Sequence, residues 1–361
     1  MVTRFMNWII FSRISAIISA AIFGCCLSQA SFALTFSQIS QVYFFGDSLT
    51  DSGFYDAISP PPLPAIPAGK APTFTTFGGY TWAQYIARDI KGFVLPIYPG
   101  PSPADTITNN SSISAVPHFT SGTLMGINYA AGGSTTNSIG ESFPFAPSLH
   151  QQIAFYLSTA PQILDPNAVY FIWSGANDFV SLLGIPLPTE LQLLQTANTA
   201  AINIANEVAT LSARGAKRIV VISLPNIGST PLISELAMTS GIATLPAMMK
   251  TVTFTFNSML NQQLGAVIAQ YGVKILYIDS YDILDNVILA TEAGQPYVVA
   301  GQSFQFVNAT TPACASVLPL PALYCPNTAP TNYIFADTLH PTDMAHRVLS
   351  LEVEQAILNW Q

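Results

Sequence analysis

The sequence predicts an α/β fold, a three-layer α/β/α sandwich around a central, mostly parallel sheet of five strands. Short apolar runs rich in β-branched and aromatic residues alternate along the chain with longer segments of helical periodicity. The apolar runs are continuous rather than alternating with polar residues, which indicates parallel strands covered by helices on both faces. No internal repeat and no second core-forming segment is found, so one domain is expected over residues 34–361.

Five apolar runs are the candidate strands, in chain order 42–45, 127–130, 169–173, 219–224 and 275–278. Helical patterns lie between and after them. In 189–213 the apolar residues recur close to a 3.6-residue period, and Gly215 then ends the helix. A second helix is expected over 246–271 before Gly272, and a last one after Thr342, which is a residue type suited to the N-cap.

Three regions depart from this alternation. Residues 59–72 are Pro-rich, and residues 95–126 are rich in Pro, Ser, Thr and Asn. Both are expected to be long surface excursions, because no core-forming unit precedes either one. The third region, 293–332, contains a pair of cysteines.

The composition limits the function classes. Half of the 361 residues are hydrophobic, 8% are charged, and the mean hydropathy is +0.41. Beyond the first thirty-odd residues no stretch of about 18 apolar residues appears, so the body of the chain is expected to be soluble. The net charge of −8 argues against nucleic acid as a partner.

Residues 1–33 have the pattern of a secretory signal peptide. Arg4 and Arg13 precede the apolar run 14–27, and small residues lie before a cleavage point after Ala33. The two arginines are the only charged residues in this segment, so its removal would change the net charge from −8 to −10. The pattern predicts a secreted or periplasmic protein.

Two alternatives to a cleaved signal remain open. The apolar residues 8–11 lengthen the segment and would suit a signal anchor. Lipoprotein anchoring at Cys25 is the other alternative, although a phenylalanine two residues before the cysteine fits that signal poorly.

Cys314 and Cys325 form an even pair once Cys25 and Cys26 leave with the signal. In an exported chain such a pair is expected to form a disulfide, with buried free thiols as the alternative. The loop between them, CASVLPLPALYC, is almost wholly apolar.

Polar and glycine residues follow three of the candidate strands. Ser48 comes after the first strand, Gly132 and Gly133 after the second, and Asn177 after the third. Ligands bind at the carboxyl ends of the strands in open parallel sheets, so these residues are expected to meet at one site. A serine, glycine N–H groups and a carboxamide are the parts of a site for acyl transfer.

A serine nucleophile also needs a base and a group that orients the base. Of the four histidines, His340 is the candidate base, because Asp337 precedes it by three residues near a predicted helix start. At this spacing on a turn the Asp337 carboxylate can bind the Nδ1 proton, which leaves Nε2 facing Ser48. The other three histidines have no cluster of Cys, Asp or Glu at metal-ligand spacing, so no metal is expected.

With these residues the chain resembles the SGNH, or GDSL, hydrolase family, which has a flavodoxin-like α/β fold. Four blocks carry the resemblance, in the family's order: GDSL at 46–49, the glycine block that ends at Gly133, GAND at 175–178 and DTLH at 337–340. One such block alone is weak evidence, whereas four ordered blocks after predicted strands are strong.

The resemblance implies a role for each block. Ser48 would be the nucleophile, His340 the base and Asp337 the residue that orients it. The N–H groups of Ser48 and Gly133 and the side chain of Asn177 would form the oxyanion hole, with Gly132 as the alternative to Gly133. No cofactor is implied.

The longer stretches FGDSLTDSG and NYAAGGS are most similar to the secreted bacterial branch of lysophospholipases and glycerophospholipid-cholesterol acyltransferases. This similarity implies an exported serine esterase that acts on phospholipid or lysophospholipid through an acyl-enzyme, with transient contact to a membrane surface and a sterol as a second acyl acceptor. The apolar 314–325 loop would border the acyl pocket or cover it as a lid; a passive surface staple is the alternative. The rival functions are a short-chain or carbohydrate esterase and a non-catalytic lipid-binding module.

Overall fold

The computed structural model describes residues 34–52, 54, 74–76, 78–92, 127–137, 146–184, 186–314, 325 and 328–360. The predicted signal peptide, including Cys25, lies outside these ranges. So do the two predicted surface excursions and the apolar residues between Cys314 and Cys325.

Four parallel strands form the central sheet, in the order β1 (Val42–Gly46), β2 (Val169–Trp173), β3 (Arg218–Ile222) and β4 (Lys274–Ile278). The register pairs the first residue of each strand with the first residue of the next. The carboxyl ends of all four strands therefore lie along one edge. A mostly parallel sheet is confirmed.

The predicted strand 127–130 runs parallel to β1 but makes only a single bridge. Three backbone hydrogen bonds hold it: Phe44 N to Ile127 O at 2.7 Å, Tyr129 N to Phe44 O at 2.8 Å and Ala131 N to Gly46 O at 3.1 Å. The N–H groups of Tyr129 and Ala131 point to β1, so the N–H of Ala130 points away and is donated to Oδ1 of Asn128 at 3.1 Å. Gly46 N, which a regular parallel ladder would direct at the carbonyl of Tyr129, donates instead to Oε1 of Gln152 at 2.9 Å, so the pairing is irregular. Within the described residues the sheet thus has four strands, not the five predicted.

Helices cover both faces of the sheet. The described ranges contain α1 (Trp82–Lys91), α2 (Leu149–Thr159), α3 (Ala176–Val180), α4 (Glu190–Ala213), α5 (Pro231–Ser240), α6 (Leu245–Tyr271), α7 (Ser280–Glu292) and α8 (Asp343–Leu358). Helices α2, α4 and α6 pack on one face, and α1 and α8 on the other. Successive side chains of a strand point to opposite faces, so Tyr170 and Ile172 join the first core and Phe171 the second. The three-layer α/β/α sandwich is confirmed.

The three predicted helices are present as α4, α6 and α8. The hydroxyl of Thr189 caps α4 by accepting from Gln192 N at 3.3 Å, and Thr342 caps α8 by accepting from Ala345 N at 3.3 Å. The other five helices are additional to those predicted. A short antiparallel hairpin, β5 (Tyr297–Val299) and β6 (Gln302–Phe304), lies outside the main sheet.

A disulfide joins Cys314 to Cys325, whose Cα atoms are 5.4 Å apart. Both cysteines are buried and pack with Ala336, the residue before Asp337. The N–H of Cys314 donates to the carbonyl of Ala336 at 2.9 Å, so the bridged chain is tied to the segment that carries Asp337 and His340. Within the described ranges, no helix has both the length and the apolar character needed to cross a membrane.

Candidate active site

Strand β1 ends in a tight turn that places Ser48 at the carboxyl edge of the sheet. Gly46 has φ +152°, and a Cβ atom there would lie 2.1 Å from the carbonyl oxygen of Trp173 in β2. Only glycine permits this backbone approach. The carbonyl of Asp47 then accepts the N–H of Asp51 at 2.9 Å, which closes the turn around Ser48.

Ser48, His340 and Asp337 form one continuous hydrogen-bonded chain. His340 Nε2 lies 2.8 Å from Ser48 Oγ, although the two residues are 292 positions apart, and His340 Nδ1 lies 2.8 Å from Asp337 Oδ2. Asp337 Oδ1 accepts the backbone N–H groups of Leu339 at 2.8 Å and His340 at 2.6 Å. Both carboxylate oxygens are thus engaged, and an Nδ1–H donated to Asp337 leaves the Nε2 lone pair to accept from the Ser48 hydroxyl.

The electrostatics favour an ionised Asp337. Burial opposes ionisation, but the neighbouring His340 and the hydrogen bonds to the carboxylate outweigh it, so the pKa of Asp337 is lowered. A carboxylate at Nδ1 stabilises the positive imidazolium that forms when the imidazole takes a proton. The arrangement can therefore remove a proton from Ser48.

A glycine turn follows the segment that runs beside β1. Ser134 N donates to Ala131 O at 3.1 Å, and Gly133 has φ +80° at the third position, as in a type II turn, which requires glycine there. The N–H of Gly133 takes no part in the bond that closes such a turn. The N–H of Gly132 donates to Asp51 Oδ2 at 2.8 Å.

Asn177 is the second residue of α3, directly after β2. Its Nδ2 donates to the carbonyl of Ser134 at 2.9 Å, which fixes the orientation of the carboxamide. An amide NH2 group has two hydrogens, so this bond leaves a second N–H for another acceptor. Asn177 and Ser48 line the same cavity.

Gln152 of α2 holds the glycine turn to β1, and it is not among the residues predicted for the site. Its side chain is buried; Oε1 accepts from Gly46 N at 2.9 Å, while Nε2 donates to Gly46 O at 2.8 Å and to Ser134 Oγ at 3.0 Å. One side chain thus links the end of β1, two residues before Ser48, to the turn that carries Gly133.

Asp178 and Thr136 join the same turn to α3. The two carboxylate oxygens of Asp178 accept the backbone N–H of Thr136 at 3.0 Å and its hydroxyl at 2.7 Å, and Asn203 of α4 donates to that hydroxyl oxygen at 2.9 Å. Burial raises the pKa of Asp178 to about 6. This clamp, Asp178–Thr136–Asn203, fixes the glycine turn relative to Asn177.

Asp47 is a buried acid beside Ser48. Its Oδ1 accepts from Leu49 N at 3.0 Å, and its Oδ2 has no hydrogen-bond partner among the described residues. Burial raises the pKa of Asp47 to about 7, although the Leu49 hydrogen bond and the attraction of His340 act against this rise.

The contribution of Asp47 to stability should therefore fall as the pH rises from about 4 to about 7. In this interval the folded protein keeps a proton on Asp47 that the unfolded chain has released, and the dependence levels off above the folded pKa. The raised pKa values of Asp178 and Glu354, about 6 and about 7, act in the same direction, whereas the pKa of His346, which burial lowers to about 3, acts in the opposite one. Asp47→Asn removes only the Asp47 contribution, so between these pH values the free energy of unfolding of the variant should rise relative to that of the wild type, by on the order of a few kcal/mol.

Urea unfolding of both proteins at about pH 5 and about pH 8 measures this difference. Glu235→Gln, at an exposed position of α5, is the matched control and should keep the wild-type dependence. An Asp47→Asn variant whose free energy of unfolding changes between the two pH values by the same amount as that of the wild type would show that Asp47 does not hold the proton.

A cavity of about 860 Å³, its open mouth included, adjoins Ser48 and Asn177. Within the described ranges, no group of three or more His, Cys, Asp or Glu side chains is arranged to hold a metal ion. Of the other described histidines, His150 pairs with Glu207 at 2.7 Å, and the fully buried His346 is among the residues that line the cavity.

The parallel α/β/α sandwich, with a serine, a histidine and an aspartate hydrogen-bonded at the carboxyl edge of its sheet, defines the class of α/β serine hydrolases. Residues 42–353 match the family model of GDSL-like lipases/acylhydrolases, and the chain belongs to this family.

Similar proteins are found in plants and bacteria. A GDSL esterase/lipase of Arabidopsis thaliana is 25% identical over 51% of this chain and 49% of its own length. Esterase EstA of Pseudomonas aeruginosa is 27% identical over 87% and 46%, and Lipase 1 of Photorhabdus luminescens is 24% identical over 88% and 51%. The chain thus spans about half the length of these relatives. Family and relatives support ester hydrolysis.

Proposed function

We propose that the protein is an exported serine esterase that hydrolyses acyl esters of lipids through an acyl-enzyme on Ser48. The observation that carries the proposal is the hydrogen-bonded chain from Ser48 Oγ through His340 to Asp337, with both links at 2.8 Å. Export is supported by the signal-like residues 1–33, the disulfide and the bacterial esterase relatives.

The reaction begins when His340 Nε2 takes the hydroxyl proton and Ser48 Oγ attacks the carbonyl carbon of the ester. The carbonyl oxygen becomes an oxyanion, which the N–H groups of Ser48 and Gly133 and the Nδ2–H of Asn177 stabilise. The bond from Gly132 N–H to Asp51 supports Gly133 as the donor in this turn. His340 then protonates the leaving alcohol, and a water molecule activated by His340 releases the acid from Ser48.

A lipid ester is the substrate class that the cavity supports best. The walls beside Ser48 are mainly aliphatic and aromatic, and one relative is itself named a lipase. We infer that the substrate is a lysophospholipid or a phospholipid, reached by transient contact with a membrane surface. A sterol can replace water as the acyl acceptor only if the acyl-enzyme excludes water.

Product analysis tests this proposal. The purified protein is incubated with vesicles of phosphatidylcholine and lysophosphatidylcholine, with and without cholesterol, and in parallel with acetylated sugars. We expect free fatty acid to form faster than acetate; the reverse would favour the carbohydrate esterase. Cholesteryl ester in the cholesterol arm would reveal transfer. No ester hydrolysis and no labelling by a fluorophosphonate probe would favour a non-catalytic module.

The clamp of Asp178, Thr136 and Asn203 should affect the chemical step through positioning. In Asp178→Ala both acceptors of Thr136 are lost, so the glycine turn loses its fixed position relative to Asn177. We expect kcat to fall by about 10- to 100-fold with little change in KM, because a displacement on the order of 1 Å has a cost of this size.

Steady-state kinetics on a soluble short-chain ester measure the split between kcat and KM. Asp282→Ala, exposed in the first turn of α7, is the matched control, and Thr136→Ser, which retains the hydroxyl, should keep most of the activity. A normal kcat in Asp178→Ala would exclude the positioning role.

A further inference from the structure

We propose that the acyl chain of the substrate lies in the cavity beside Ser48 and runs across the carboxyl edge of the sheet toward α7. The inference rests on the proposed function and states where that function holds its acyl group. Residues that follow each of the four strands line the cavity: Ser48 after β1, Asn177 after β2, Ile227 after β3 and Ile283, Leu284 and Val287 after β4.

The order of the strands gives the proposed path a direction. Neighbouring strands lie about 4.8 Å apart, so the sheet is roughly 14 Å wide from β1 to β4. Because β4 is the strand farthest from β1, the side chains of α7 lie at the end of the cavity remote from Ser48. An alkyl chain attached to Ser48 therefore ends against α7.

The chemistry of the walls fits an alkyl chain. None of the residues that line the cavity is Asp, Glu, Lys or Arg, and His346, which also lines it, is neutral at pH 7 because burial lowers its pKa to about 3. The hydroxyl of Ser280 donates to the carbonyl of Ser223, and the hydroxyl of Thr230 donates to the carbonyl of Ile227 at 2.8 Å, so both donors are already used within the protein. A sugar in this place would bury hydroxyl groups with few partners, which is costly, whereas methylene groups gain from leaving water.

Helix α7 turns one face toward the cavity. Ile283, Leu284 and Val287 line it, whereas Leu289 on the same helix is 61% exposed. Val287 is buried, and Leu284 packs beside it. The side chain at position 284 therefore limits the length of the acyl chain that the cavity admits.

The test compares the same substitution at two leucines of α7. Leu284→Phe adds volume at the remote end of the cavity, and Leu289→Phe adds it on the exposed face. The probes are p-nitrophenyl acetate, butyrate, octanoate, laurate and palmitate, and the readout is the ratio of kcat/KM on the long esters to kcat/KM on acetate. We expect Leu284→Phe to lower this ratio about tenfold or more; any change common to all the esters cancels in the ratio. Leu289→Phe should match the wild type throughout.

Leu284→Ala removes volume and does not depend on the larger side chain being tolerated; it should shift the preference toward longer chains. Suppose that the wild type is hydrolytically active and that Leu284→Phe and Leu284→Ala both show its chain-length profile. This result would overturn the proposed position of the acyl chain and leave the esterase function standing. A wild type that neither hydrolyses any of the esters nor reacts with a fluorophosphonate would overturn the proposed esterase function, and with it the proposed position of the acyl chain.

Discussion

Replacement of Ser48 by Ala should lower kcat/KM for ester hydrolysis by about 10⁴-fold or more. Ser48 Oγ lies 2.8 Å from His340 Nε2, which is hydrogen-bond distance for a nucleophile and its base. Ser48 also lines the apolar cavity. Without Oγ no acyl-enzyme forms, and only slow attack by water remains, assisted by the neighbouring donors. The His340 ring should stay in place, because Asp337 binds its Nδ1.

Two measurements check this result, hydrolysis of p-nitrophenyl butyrate and labelling by a fluorophosphonate probe. Both should be lost in Ser48→Ala, whereas the melting temperature should stay close to that of the wild type. Ser258→Ala, at an exposed position of α6, is the matched control and should keep full activity and labelling. Labelling of Ser48→Ala at the wild-type rate would mean that another residue is the nucleophile.

The sequence identifies the reacting groups better than their supports. Ser48, Gly133 and Asn177 directly follow apolar runs, so a parallel sheet brings them to one edge whatever lies between the strands. Gln152 has no such signature, because it lies within α2, 106 positions from its partner Gly46. Its importance arises only when the helix packs against β1, which is a long-range contact that no local pattern encodes.

The errors in the fold prediction have identifiable causes. The run 127–130 is apolar enough for a strand, but the side chain of Gln152 takes the N–H of Gly46, which a regular pairing with this run would use. Signals were present for two of the additional helices. Ser148 with Gln151 forms a capping box at the start of α2, and Asp279 accepts from Tyr281 N and Asp282 N at the start of α7.

Asp337→Asn should lower kcat by about 10⁴-fold at neutral pH, and the surrounding hydrogen bonds explain why. In the wild type, Asp337 Oδ1 accepts two backbone N–H groups, and Oδ2 faces His340 Nδ1. An asparagine has only one accepting oxygen, and the two backbone donors hold it at the Oδ1 position. Its NH2 group therefore faces Nδ1, which must then accept, and the imidazole proton moves to Nε2. An Nε2 that carries a proton cannot take one from Ser48.

The substitution should change the protonation of His340 without changing the stability of the fold. The asparagine retains the bonds to Leu339 N and His340 N, so thermal unfolding should change little while kcat collapses. KM should stay within a few-fold of the wild-type value, since Asp337 is not among the residues that line the cavity. Asp282→Asn, at an exposed position of α7, is the matched control and should keep the wild-type kcat. If Asp337→Asn kept more than about a tenth of the wild-type kcat, the carboxylate would not be setting the tautomer, and the proton would have to leave Ser48 by a route that bypasses Nδ1.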